Sequence, residues 1–408
     1  MHPDWTFVST HKVSALSHRA LSSDQTLGRL RNCARRVPIS RVSDLTPLDR
    51  LRLPVFSATT PLARDLTTHL GKGLDAESAQ VSAMMEAVER ISAEQVDRSI
   101  LRLSYQDLVK SGDAVIDPRD CDLPDDSRYA EDRPISWIQG WEFVSQQLAW
   151  IPLDLAITPP QEGVLLEVDT NGLAAGNSLI EAVVHGLCEV IERDALSVSL
   201  FRSTFGDGSD AIPERRRISP DSVPRAGREW VERISANGLR IETEHLDSDI
   251  GVPVFRSVII DHQYPSADGE NTRKFIGLGA SPNAAIAATR SITEAVQSRI
   301  ALVQGARDSF NTLSPDWRRS TGASHRQDVA ERMRVSLDTV PTFETDDLLE
   351  DLEYLISRLR RAGFKRVLAI DLTRGDFEIP VVRVRVPGLA SFAVNRARPG
   401  WRCLRYLL

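Results

Sequence analysis

Residues Asn171–Leu200 read NGLAAGNSLIEAVVHGLCEVIERDALSVSL, and this stretch decides the fold. From Ser178 onward it reads as one helix: Asn177 or Ser178 is placed to cap its start, and no proline interrupts it. At about 100° per residue, Glu181, His185, Glu189 and Glu192 fall within roughly 80° of one another, with Asn177 and Cys188 bordering the stripe. Leu179, Ile180, Val183, Val184, Leu187, Val190 and Ile191 take most of the remaining circumference. A solvated acidic face would mix in Lys, Ser and Gln, whereas Arg193 is the one positive side chain at this edge. A helix apolar on most sides is buried, and buried like charges need a metal or cationic partner. The stripe therefore predicts a metal site facing a cleft.

Two more helices carry a similar stripe. From Asp75, DAESAQVSAMMEAVERISAEQV gathers Ser82, Glu86, Glu89 and Arg90 within about 100°, opposite Val81, Met84, Val88 and Ile91. Between about Pro282 and Val303, with the proline close to the first turn, Arg290, Glu294 and Gln297 stand at i, i+4 and i+7 on one face. Alone, Glu86 and Arg90 would be an ordinary i, i+4 pair. Converging glutamates from three helices would repel by several kcal/mol at close range unless divalent ions neutralised them. Oxygen-only ligands favour a hard cation such as Mg²⁺, which often bridges carboxylates and nucleotide phosphates. Arg90, Arg193 and Arg290 are the complementary contacts to phosphate oxygens. The residues by themselves lead to a Mg²⁺–nucleotide site. Gly71-Lys72-Gly73 adds only a weak phosphate signal, because the GxxxxGK[ST] spacing is absent.

The rest of the 408-residue chain narrows the class. Its 41% hydrophobic and 26% charged residues are ordinary globular material, and the net charge of −7 gives no basic surface for nucleic acid. Cys33, Cys121, Cys188 and Cys403 lie far apart without CxxC spacing, so neither a zinc motif nor a disulfide framework is expected. With no apolar signal core and no stretch of roughly 20 apolar residues, the expectation is a cytoplasmic protein with no membrane span. Strands are expected at Pro54–Ala58, Leu239–Glu244, Val252–Asp261, Arg366–Asp371 and Pro380–Val386, with a hairpin over Trp137–Pro152. Helices are expected over Asp24–Arg35 and Leu348–Ala362. Residues 101–135 read as a connecting excursion, 203–228 as an insertion loop and 306–340 as polar loop. Helices and strands do not alternate as a doubly wound fold would, so the expected class is α+β: one domain of β-sheets backed by helices. Its expected limits are 51–390, with 1–50 packing on the core and 391–408 as a tail.

The chain resembles the YcaO family from about residue 10 to 390. SAMMEAVER (Ser82–Arg90), NSLIEAVVHGLCEVIERDA (Asn177–Ala195) and RSITEAVQSR (Arg290–Arg299) carry the resemblance, and their occurrence together in this order is specific. The resemblance implies ATP bound in a cleft between the acid-bearing helices, without a Walker motif. By motif position it implies Glu86, Glu89, Glu189 and Glu192 as Mg²⁺ ligands. Lys12, Arg19, Ser82, Arg90, Asn177, Glu181, Arg193, Arg290, Glu294 and Gln297 would contact or orient ATP. His185 and Arg193 are the candidates for a catalytic role, with His185 as a base or as a structural, ion-orienting group. Cys188 reads as a packed small hydrophobe.

Family members activate a peptide backbone amide: a nucleophile attacks the carbonyl, ATP phosphorylates the oxyanion, and phosphate leaves. Sulfide gives a thioamide, a neighbouring Cys, Ser or Thr an azoline, and an amine an amidine. The tail RARPGWRCLRYLL lacks a PxPxP ending, and no additional N-terminal domain for leader-peptide binding is expected. RVSDLTPLDRLRLPVF (Arg41–Phe56), THLGKGLDAESAQVSAMMEAVER and DLTRGDFEIPVVRVRVPGL (Asp371–Leu389) are similar to the TfuA-associated branch. That likeness implies thioamide formation on a peptide or protein substrate with external sulfide and a TfuA-like partner, and a homodimer. An azoline- or amidine-forming cyclodehydratase and a non-catalytic nucleotide-binding accessory protein are the alternatives.

Overall fold

A computed structural model describes residues 5–14, 17–205, 216–264, 273–305 and 334–407. Residues 206–215, within the expected insertion loop, and 306–333, within the expected polar loop, lie outside the described residues.

Helix α4 (Leu179–Phe205) is the central element, and its apolar sides are buried as its sequence requires. Ile180, Val183, Val184, Leu187 and Ile191 pack with α7 (Leu348–Arg361) and with Val382 and Val384 of strand β14 (Val381–Arg385). The described residues form three sheets, and α4 packs on strands of the second and third. The first is an antiparallel meander of β1 (Arg41–Asp44), β2 (Val55–Thr59) and β3 (Thr68–Lys72). The second runs in the order β11-β10-β9-β8-β12, from β11 (Arg273–Ala280), β10 (Val254–Asp261), β9 (Arg240–His245), β8 (Arg216–Ile218) and β12 (Arg334–Val335). All its neighbours are antiparallel except β8 and β12. The third contains β4 (Leu101–Leu103), β5 (Ile135–Glu142), β13 (Leu368–Asp371), β14 and β7 (Leu173–Ala175), with β6 (Gln147–Pro152) also paired to β5. The β5–β6 pair is the expected hairpin, and α1 (Ser23–Cys33) and α7 lie where helices were expected.

Two expectations change. The described end of the 203–228 stretch is not loop, since Arg216–Ile218 pairs with β9 and α5 (Arg225–Ala236) begins within it. The 101–135 excursion likewise holds β4 and α3 (Tyr105–Ser111).

The fold positions the site through one β-loop-α unit used three times. In these units β3 leads to α2 (Ala76–Ala93), β7 to α4, and β11 to α6 (Ala284–Gln304). Each helix packs on its own strand and on that of another unit, in a closed cycle: α2 touches β7, α4 touches β11, and α6 touches β3. The register is the same in each. Ser82–Arg90 (SAMMEAVER) corresponds to His185–Arg193 (HGLCEVIER) and to Arg290–Ser298 (RSITEAVQS). Backbone contact between strand and helix recurs at matching places. A Cβ on Gly71 would lie 2.0 Å from the Ala83 nitrogen and 2.2 Å from the Ala79 oxygen. On Gly279 it would lie 2.1 Å from the Ala287 oxygen and 2.8 Å from the Ser291 nitrogen. Only glycine permits that approach.

Candidate active site

Because the three helices share a register, their stripes face one another. Glu86, Glu189 and Glu294 hold one position, and Glu89, Glu192 and Gln297 the position three residues on. The cross-unit packing is made partly by these side chains. Glu89 accepts the Ala175 N–H of β7 at 2.7 Å, and Gln297 donates to the Leu70 carbonyl of β3. Glu294 is ion-paired and hydrogen-bonded to Lys72 of β3. Arg90 lies 3.8 Å from Glu86 and donates to Asp65 at 2.9 Å, while Arg193 stands 3.9 Å from Glu192. Arg290 meets His185 across the α4–α6 gap, with Nη2 2.9 Å from Nε2.

The electrostatics record incomplete neutralisation. Burial, opposed by the Ala175 N–H and reinforced by Glu86 and Glu189, pushes the Glu89 carboxyl up to about 8. Burial and then the charge of Glu294 raise Glu192 to about 7. Burial also raises Glu189, against the pull of Arg193 and Arg383. At Glu294 burial pushes upward as well, but Lys72 and then Arg193 outweigh it and hold the group below its usual range. Among the described residues no three His, Cys, Asp or Glu side chains form a closed metal-ligand cluster. The donor set is nonetheless all oxygen, and its carboxylates, Glu192 buried and Glu86, Glu89 and Glu189 half-buried, carry like charge that a cation would relieve. This fits Mg²⁺, which takes one or two carboxylates and fills its shell with phosphate oxygens and water.

The N-terminal segment closes one side. Glu181, 1% exposed, accepts from Arg19 at 2.9 Å, from the Ala20 N–H at 2.9 Å and from Asn177 at 3.2 Å. Asn177 in turn accepts from Thr26 at 3.1 Å. Arg19, Asn177 and Glu181 are thus brought together and tie this segment to α4. Lys12 lies deeper, its ammonium 2.6 Å from Asp351 and donating to the Thr345 carbonyl at 2.8 Å, with the side chain 2% exposed. Ser82 is half-buried on α2. Cys188 is packed, 1% exposed, with burial pushing its thiol up to about 12, so no thiolate nucleophile is offered there.

Sequence reasoning passed over Arg383 and undervalued Lys72. Arg383 on β14 is fully buried, donating to the Ala156 and Asn171 carbonyls at 3.2 and 3.1 Å and lying in the field of Glu189. Nothing in its valine-rich strand signals that. Lys72 sits in the Gly71-Lys72-Gly73 run, whose glycines mark the approach of β3 to α2.

A protein-family model described as YcaO cyclodehydratase, ATP- and Mg²⁺-binding, matches residues 70–390. An uncharacterized protein in the tfuA 3′ region of Rhizobium leguminosarum bv. trifolii is 32% identical over 402 residues, covering 93% of this chain and 90% of that protein. The fold is shared with the YcaO of Methanopyrus kandleri bound with AMPPCP and Mg²⁺, at a TM-score of 0.73 and 24% identity over 97% of this chain and 98% of that one. It is also shared with a heterocyclase in complex with substrate and cofactor, at a TM-score of 0.77 and 23% identity, covering 95% of this chain and 54% of that one. From the match over residues 70–390 and the likeness to the Rhizobium protein along nearly its whole length, this chain belongs to the YcaO family.

Proposed function

We propose that the chain is an ATP-dependent enzyme that converts a peptide backbone amide to a thioamide by O-phosphorylation, with external sulfide and a TfuA-like partner. The observation that carries the reading is the set of incompletely neutralised carboxylates, buried Glu192 with half-buried Glu89 and Glu189, set among Lys72, Arg193 and Arg290. Such a site has the charge pattern of a nucleotide brought in with its metal. Glu86, Glu89, Glu189 and Glu192 would hold Mg²⁺, whose charge offsets that of the phosphates. Arg193, Arg290 and Lys72 would receive phosphate oxygens, Lys72 by sharing its ammonium with Glu294.

Hydrosulfide adds to the amide carbon, and the carbonyl electron pair moves onto oxygen. That oxygen attacks the terminal phosphorus of ATP, and the bond to ADP breaks. The C–O bond then breaks, phosphate leaves with the sulfhydryl proton, and C=S forms. An amide, hydrosulfide and ATP thus become a thioamide, ADP and hydrogen phosphate. Phosphorylation turns a poor leaving group into a good one, and arginines fixed beforehand meet the developing charge without reorganising. The protein's own groups bind, orient and exclude water, and no side chain is consumed. The tfuA-region relative supports the thioamide branch. The test combines the purified chain, a TfuA-like protein, a candidate precursor peptide, ATP, Mg²⁺ and sulfide, followed by mass spectrometry. Exchange of one oxygen for sulfur is expected. Loss of one water would instead assign azoline or amidine formation, and nucleotide binding without peptide-dependent phosphate release would assign an accessory role.

A further inference from the structure

The shared register places a hydrogen-bond donor four residues before each of Glu86, Glu189 and Glu294: Ser82 on α2, His185 on α4 and Arg290 on α6. Two of these meet, Arg290 Nη2 lying 2.9 Å from His185 Nε2. A guanidinium only donates, so Nε2 is the acceptor and a neutral imidazole must carry its proton on Nδ1. That Nδ1 is buried and has no hydrogen-bond partner among the described residues. A buried N–H without an acceptor is costly, so this orientation favours a ligand that brings one. Arg290 on α6 is in contact with the ring, and Arg19 and His18 of the N-terminal segment and Lys72 of β3 act on it electrostatically. Burial, then these charges, hold the imidazole well below its ordinary value, which keeps it a donor of one N–H at working pH.

We propose that His185 is a neutral binding residue, oriented by Arg290, that donates its Nδ1–H to a phosphate oxygen of the bound nucleotide and does not act as a general base. The idea rests on the nucleotide reading above and adds a residue to it. An asparagine amide reaches the place of Nδ1, whereas a glutamine amide reaches that of Nε2. The full chain, His185→Asn and His185→Gln are compared by calorimetric binding of AMPPCP with Mg²⁺ and by the pH profile of phosphate release. His185→Asn is expected to stay within about threefold of the unaltered affinity, and His185→Gln to lose roughly tenfold or more, the scale of one charge-assisted hydrogen bond. The pH profile of His185→Asn should keep its shape. Equal loss in both variants, full affinity in His185→Gln, or a pH limb that vanishes with His185→Asn would overturn the proposal. No nucleotide binding by the unaltered chain would overturn the functional reading and this inference with it. If a variant fails to fold, the Nδ1 proton resonance of His185 in the unaltered chain serves instead. It should shift on adding AMPPCP and Mg²⁺, and a fixed resonance would refute the contact.

Discussion

Replacing Glu89 with glutamine should stabilise the nucleotide-free protein while removing its ATP chemistry. Burial is the main reason this carboxyl rises from 4.5 to about 8; the Ala175 N–H opposes it, and Glu86 and Glu189 add to it. A folded-state value above the unfolded one means that the native state holds the proton more tightly. The group's favourable contribution is therefore complete below about pH 4.5 and is lost as pH rises to about 8. At roughly 1.4 kcal/mol per unit, the burden of Glu89 is below about 1 kcal/mol at pH 5 and rises to roughly 4 kcal/mol at pH 8. Glutamine keeps an oxygen for the Ala175 N–H and presents its amide protons to the neighbouring carboxylates. Urea unfolding of the metal-free chain and of Glu89→Gln at both pH values measures the difference directly. The variant's advantage should grow with pH, while phosphate release falls to background. A variant less stable than the unaltered chain at pH 8, or one that still releases phosphate, would refute the reasoning.

With Glu192 and Glu89, raised to about 7 and about 8, as the proposed Mg²⁺ ligands, protons and the metal should compete for them, and half-saturating Mg²⁺ for phosphate release should fall as pH rises through that range; a Mg²⁺ requirement independent of pH would contradict the assignment. Gly279→Ala would set a Cβ 2.1 Å from the Ala287 oxygen, a backbone atom that cannot swing aside. The strand and α6 must part, at a cost of about 2–3 kcal/mol in thermal unfolding, and a neutral substitution would show that the close approach is not required. Glu181→Gln removes the charge that Arg19 and the Ala20 N–H share, so residues before α1 should become open to limited proteolysis with a stability loss of about 2 kcal/mol. Unchanged protection would mean that other contacts hold the segment.

The helices that carry the site were legible because a period of 3.6 survives burial: Glu181, His185, Glu189 and Glu192 form a stripe however α4 is packed. Strands β3 and β11 were not, because the residues that let them press on α2 and α6 are glycines. Gly71, Gly277 and Gly279 erase the β-propensity signal and read as turns. The cyclic arrangement was equally hidden, since it lies in contacts such as Glu89 with Ala175 and Gln297 with Leu70, far apart in the chain. Lys12 shows the limit of reading single charges. Without Asp351, 339 residues later, an N-terminal lysine looks solvated or phosphate-bound, yet here it is buried in an ion pair. Arg383 escaped for the opposite reason, being a cation inside a strand whose pattern is that of a core.

The central proposal is that the amide oxygen itself takes the phosphoryl group while carboxylates of α2 and α4 hold the metal and basic side chains of α4, α6 and β3 receive the nucleotide. Labelling the carbonyl oxygen of the substrate peptide with heavy oxygen and following it through turnover with ATP, Mg²⁺, sulfide and the partner tests that directly. The label should emerge in orthophosphate, one for each amide converted, and Glu192→Gln should release none. Label that stays in the peptide or passes to water would contradict the account.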